Sequence, residues 1–292
     1  MLLCYPFNNT FYQLFERCTI KFKTGNNILI SYAKNYFSPS HAVITLLLVT
    51  VIAGSFSSNV YGHASPVSYS PAINSNIVQN RSLPTKVVIS FSERPEPKAS
   101  YIHVTDAKNN RIDNNDYAIT GQNERQATVT LGNNKLAPGV YTVSWLALSR
   151  DDGHITKGSY VFTIEPAQAA AAQTSLSSKN NTFSDQVTIN NITLQYKISP
   201  LYAGISNRFN VTLTDASGKS PTNIKNVIMQ FNHKQAGIGP IVANLHKLEN
   251  GVYSTVGGYI SQPGEWDNKI TVQRNGAYDL NHSFKVTVKA PP

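Results

Sequence analysis

Asp152-Gly153-His154 places a carboxylate and an imidazole two residues apart across a glycine. Glycine accepts the sharp backbone conformations that let both side chains turn toward one point. A carboxylate with an imidazole makes half a site for a divalent metal ion. The same stretch also suits a plain polar turn, because Asp-Gly is a common turn dipeptide. His63 shifts the balance. It follows a cleavable-looking segment, and cleavage after Gly62 would make it the first residue of the mature chain. An N-terminal histidine offers two nitrogens, the α-amine and ring Nδ1, which can chelate one ion, and the α-amine has a low enough pKa to be deprotonated by a metal near neutral pH. With the His154 imidazole and the Asp152 carboxylate the set becomes three nitrogens and an oxygen, a tetragonal set of the kind copper(II) prefers.

Other donors are scarce. Cys4 and Cys18 are the only cysteines in the 292 residues, and both precede the apolar run at 42–54. A mature chain starting near His63 therefore has neither a disulfide framework nor a thiolate site. Met1 and Met229 are the only methionines, so a soft thioether site in the first folded region is excluded. The run at 42–54 has the length of a signal-peptide core and is short for a membrane span, with Lys34 before it and polar Ser55–Gly62 after it. Export to a periplasmic or extracellular space is expected; left uncleaved, the run would anchor the chain to a membrane. Cleavage after Ala64 fits the small-residue rule as well and would remove His63, and the sequence leaves both positions open.

The elements that must hold these residues read as strands. Hydrophobic residues make up 41% of the chain and charged residues 14%, with many turn-forming residues. Val87, Ile89 and Phe91 alternate with polar neighbours, as do Ile102 and Val104, then Tyr141, Val143 and Trp145, then Tyr160, Phe162 and Ile164. Asp152 and His154 fall in the loop between the last two of these strands. A small, polar, Ala- and Ser-rich stretch follows, read as a connector. A second alternating region carries Ile192, Leu194, Tyr196 and Ile198, then Phe209, Val211 and Leu213, then Phe284, Val286 and Val288. The fold class is all-β: two Greek-key immunoglobulin-like sandwiches or barrels joined by a flexible linker. The expected bounds are 1–62 for the export signal and upstream segment, 63–166 for the first domain, 167–187 for the linker and 188–292 for the second domain. Net charge is +9, but the Lys and Arg residues are scattered, so no nucleic-acid partner is expected. His103 reads as an exposed strand residue, and His233 and His246 as surface-turn residues.

His63-Ala64, Ser70-Pro71-Ala72, Leu83-Pro84, Phe91-Ser92-Glu93, Tyr141 to Trp145, Asp152-Gly153-His154 and Gly158 to Phe162 occur in the order and spacing of the CopC copper-resistance family, which residues 63–165 resemble. The resemblance implies a periplasmic copper carrier, not an enzyme. Its metal ligands would be His63, Asp152 and His154, with Glu93 as a weaker ligand or a supporting acid. Without a methionine-rich loop, copper(II) is the implied cargo. A CopD-like membrane permease is the usual partner. Gly251-Val252-Tyr253 and Pro263-Gly264-Glu265-Trp266 give the second region a resemblance to the YtkA-like β-sandwich domain. Two other functions are compatible with the residues: a histidine-brace copper oxidase of the polysaccharide monooxygenase kind, and a metal-free adhesive or structural surface protein. A ligating Asp152 opposes the first, because it would fill a position that oxygen needs.

Overall fold

The computed structural model describes residues 20–24, 27–31, 63–79, 82–132, 136–167 and 181–292. The apolar run at 42–54, Gly62 at the first candidate cleavage position and most of the connector lie outside them. Two compact units are present, 1–60 and 61–292. In the first, β1 (Ile20–Thr24) and β2 (Asn27–Ser31) pair as an antiparallel hairpin.

The second unit opens with eight strands: β3 (Pro66–Ser70), β4 (Ser75–Val78), β5 (Lys86–Phe91), β6 (Tyr101–Thr105), β7 (Ala118–Thr120), β8 (Gln126–Thr130), β9 (Gly139–Leu148) and β10 (Ile155–Glu165). They form two four-stranded sheets, ordered β3-β5-β8-β7 and β4-β10-β9-β6. The alternating residues do what period-two patterning requires. Val87, Ile89, Ile102, Val104, Val143 and Phe162 are all buried between the sheets. Phe91 meets Trp145 edge to face, and Tyr141 stacks on Phe162. Gly158 is opposite Trp145 in the ladder, and a Cβ there would lie 2.9 Å from the indole, so only glycine lets the ring close over the strand.

Eight more strands follow: β11 (Phe183–Ile189), β12 (Ile192–Ser199), β13 (Asn207–Asp215), β14 (Ile224–His233), β15 (Ile238–Lys247), β16 (Val252–Gly257), β17 (Gly264–Arg274) and β18 (Leu280–Val288). A single 3-10 turn, Lys234–Ala236, joins β14 to β15. The sheet order is β11-β12-β13-β16-β15-β14-β17-β18. Strand β15 pairs with β14 along most of its length and with β16 at His246 and Lys247, so it carries the sheet around a corner into a nearly closed barrel. Residues 183–187, assigned to the linker from sequence, are already strand. Asn190 and Asn191 both have positive φ and close the two-residue hairpin between β11 and β12, a turn that follows the natural twist of paired strands.

The two sandwiches pack against each other, which the sequence reading did not anticipate. Val140 on β9 and Val161 on β10 face away from the first core and join the apolar cluster of the second sandwich. Around them Thr142 Oγ1 donates to Ser261 Oγ at 2.6 Å, Gly239 N–H to Ser159 Oγ at 3.0 Å, and Asn74 Nδ2 to the Tyr259 hydroxyl at 2.8 Å. Gly258 lies so close that a Cβ would sit 2.5 Å from Val140 Cγ2.

A methyl group at that point overpacks the interface, a change that costs about 1–3 kcal/mol. Gly258→Ala should therefore lower the thermal midpoint of both sandwiches together, in a wild-type protein that melts in one calorimetric transition. Two separate wild-type transitions would mean that the contact does not couple them.

Candidate metal centre

Strands β9 and β10 run antiparallel from Gly139 opposite Ile164 to Leu148 opposite Ile155, and the loop beyond that last pair holds the candidate ligands. Its shape is fixed by backbone hydrogen bonds. Ser149 N–H donates to the His154 carbonyl at 2.8 Å, and Gly153 N–H to the Ser149 carbonyl at 3.0 Å. Gly153 has φ of 76°, in the left-handed region where a side chain is strained. Ser149 is buried, and its Oγ accepts from Asp151 N–H at 3.0 Å and Asp152 N–H at 3.2 Å.

The two adjacent acids have different partners. Asp151 is taken by Arg94, whose backbone N–H donates to Oδ2 at 3.0 Å and whose Nε donates to Oδ1 at 2.9 Å. That guanidinium holds the Asp151 carboxyl below the ordinary carboxylate range. Asp152 turns the other way. Its Oδ1 accepts from His154 N–H at 2.9 Å, and its Oδ2 lies 3.1 Å from His63 Nδ1 and 3.0 Å from His154 Nδ1. The His154 N–H is the largest cause of a lowered Asp152 pKa; slight desolvation opposes it, and Ser149 and the His154 side chain add to it. Asp152 is thus an anion held between two imidazoles at neutral pH.

His63, Asp152 and His154 each offer a ligand atom within 4.8 Å of the others, the one group of three or more such residues among those described. All three are accessible, with 53%, 24% and 63% of their side-chain surfaces exposed. Donors at neighbouring corners of a square-planar site with bonds near 2.0 Å stand about 2.8 Å apart. The two Nδ1–Oδ2 separations are close to that value, so small movements admit an ion. His63 also presents Nδ1, the ring nitrogen that can close a chelate with its own α-amine.

Glu93 stands outside this group: its Oε2 accepts from Ser149 Oγ at 2.6 Å, behind the loop. Three other histidines differ from expectation. His233 is not on a surface turn but buried at the end of β14, with Nε2 2.9 Å from the Pro263 carbonyl and its ring against Trp266. His246 is exposed on β15 rather than in a turn. His103 is half-buried and stacked on Tyr101; desolvation, then the Arg111 charge, lower its pKa.

Residues 67–165 match the family model for the CopC domain. Protein YobA of Escherichia coli K12 is 33% identical over 124 residues, which cover 42% of this chain and 90% of that protein. The chain belongs to the CopC family. Protein YobA of Shigella flexneri gives the same values, 33% over 124 residues with 42% and 90% covered. Among solved structures, CopC from Methylosinus trichosporium OB3b is 28% identical over 36% of this chain and 97% of its own, with a TM-score of 0.32. PcoC, a methionine rich copper resistance protein from Escherichia coli, is 25% identical over 35% and 99%, with a TM-score of 0.30. The CopC match contains the whole Asp152 loop, and His63 stands just ahead of it. No helix among the described residues is long and apolar enough to cross a membrane.

A Cβ on Gly153 would meet nothing within 4 Å, so Gly153→Ala tests backbone conformation without a clash. Forcing a left-handed alanine costs about 1–2 kcal/mol. Hydrogen exchange at the Gly153 and His154 amides should speed up, while β9 and β10 amides keep their protection. Unchanged exchange in the loop would mean that its shape does not depend on glycine.

Proposed function

We propose that this CopC-family protein is an exported copper(II) carrier, periplasmic or extracellular, that holds the ion with His63, Asp152 and His154. The observation that carries the reading is the convergence of two Nδ1 atoms on one Asp152 oxygen in a CopC domain. Imidazole, amine and carboxylate are harder donors than thiolate or thioether, and no sulfur donor joins the group among the described residues, which favours copper(II) over copper(I). The site is open to solvent, as a carrier that must load and unload requires. Asp152 lies between the histidines, where it would occupy an equatorial position and oppose oxygen activation, so the reading is a carrier and not an oxidase.

Processing after Gly62 completes the ligand set by freeing the His63 α-amine. Ala64 supports this position over cleavage two residues later: it is wholly buried and belongs to the first core, so a chain starting at Ser65 would lose a core residue. The cargo serves copper tolerance or delivery to a membrane importer of the CopD-like kind. Glu93 acts on the loop through Ser149, and the second sandwich is a YtkA-like domain fixed beside the carrier.

Competition titration of the processed protein with copper(II) tests the reading. Asp152→Ala and His154→Ala should each weaken binding at least about 100-fold, more than loss of an outer partner usually does, without changing the core. Wild-type affinity in either variant would remove that residue from the site. Copper(I) should bind far more weakly than copper(II), and comparable affinities would contradict the donor set.

The amine is tested separately. One extra residue before His63 converts it to an amide, and the paramagnetic resonance spectrum should show fewer nitrogens on the copper than in the processed form. Identical spectra would withdraw the amine from the ligand set.

A further inference from the structure

His63 lies at the edge of the folded domain, yet its ring is held against a loop 89 residues away in sequence. Chain segments at such edges are poorly ordered unless something ties them down. The tie here is made to the backbone, not to the imidazole. Ser92, the residue after β5, contacts the segment three times. Its Oγ donates to the His63 carbonyl at 2.8 Å and accepts from Ser65 N–H at 3.0 Å, and its own N–H donates to the Ser65 carbonyl at 2.8 Å. Ser65 N–H also reaches the His63 carbonyl at 2.7 Å, a tight three-residue turn. From the opposite sheet, Thr156 Oγ1 donates to the Ala64 carbonyl at 2.6 Å. Between these two grips the Ala64 methyl is fully buried.

Thr156 lies on β10 two residues after His154, so the strand that presents one imidazole also fixes the backbone carrying the other. Ser92 is followed by Glu93, which holds Ser149, and by Arg94, which holds Asp151. The two halves of the site are therefore anchored to the same few residues. A carbonyl held in place needs no ordering when an ion arrives, and preorganisation of this kind raises affinity without adding a ligand.

We propose that Ser92 and Thr156 are positioning residues: they clamp the His63–Ala64–Ser65 backbone so that His63 is in place before the metal ion binds. The role of the clamp in affinity rests on the copper(II) reading above; its role in ordering His63 does not.

The experiment uses the processed full chain with Ser92→Ala, Thr156→Val, the double variant, and the conservative Ser92→Thr and Thr156→Ser. Copper(II) affinity by competition should fall about 10–100-fold in the double variant, the range for residues that orient metal ligands. The resonance spectrum should broaden or lose nitrogen couplings, and the conservative variants should restore both. Metal-free protein is compared by NMR. The wild type should show a protected Ser65 amide and cross-relaxation between the His63 and His154 rings, and Ser92→Ala should lose both. If the double variant does not fold, the two single variants decide, each with an expected loss of several-fold. Wild-type affinity and spectrum in folded Ser92→Ala and Thr156→Val would overturn the clamp. Should the wild type fail to bind copper(II), the copper reading falls, and the metal-free NMR comparison alone decides the clamp: unchanged Ser65 protection and ring contacts in the variants would overturn it.

Discussion

The antiparallel ladder between β9 and β10 is the constraint on which the other features depend. Its inner face supplies Tyr141, Val143, Trp145, Tyr160 and Phe162 to the first core. Its outer face supplies Val140 and Val161 to the neighbouring sandwich. Its open end carries Asp152 and His154, and its second residue on the β10 side, Thr156, fastens the segment bearing His63. Strand register is all or nothing, because a slip of one residue exchanges the two faces. A slip here would empty the core, break the interface and turn the loop's supports away at once.

Electrostatics then divides the labour within the loop. Two neighbouring carboxylates would repel each other and compete for any cation. Arg94 neutralises Asp151 through a multiply bonded pair, which leaves Asp152 as the free anion beside the imidazoles. The arrangement distinguishes two chemically identical side chains: Asp151 is committed to Arg94, and Asp152 faces the imidazoles.

Much of the architecture was legible because apolar residues at period two report which face of a strand is dry. Val87, Ile89, Tyr160 and Phe162 could be placed in this way, and so could the Asp152 loop between two such strands. The pairing of His63 with that loop had no local pattern behind it; the donor chemistry of an N-terminal histidine and the ordered motifs shared with the CopC family suggested it. Strand β11 was missed because Phe183, Val187 and Ile189 are separated by polar residues on an edge strand, although Asn190-Asn191 between apolar neighbours was a hairpin signal. His233 was misplaced because a buried histidine bonded to one carbonyl is indistinguishable in sequence from an exposed one. The interface was missed because Val140 and Val161 alternate out of phase with the core residues and so read as ordinary outward positions. Ser92 and Thr156 were unremarkable for a related reason: they act on backbone carbonyls, which every residue has.

Docking of the second sandwich onto β9 and β10 also bears on how this CopC domain can be inherited or used alone. Cut away from its neighbour, the domain would present Val140 and Val161 to water beside the Thr142 hydroxyl, which would lose its Ser261 partner. A bare apolar patch on a twisted sheet invites self-association. The modularity of the domain is therefore partial: its Asp152 loop is self-contained, but the cover over its outer face is supplied by the second sandwich.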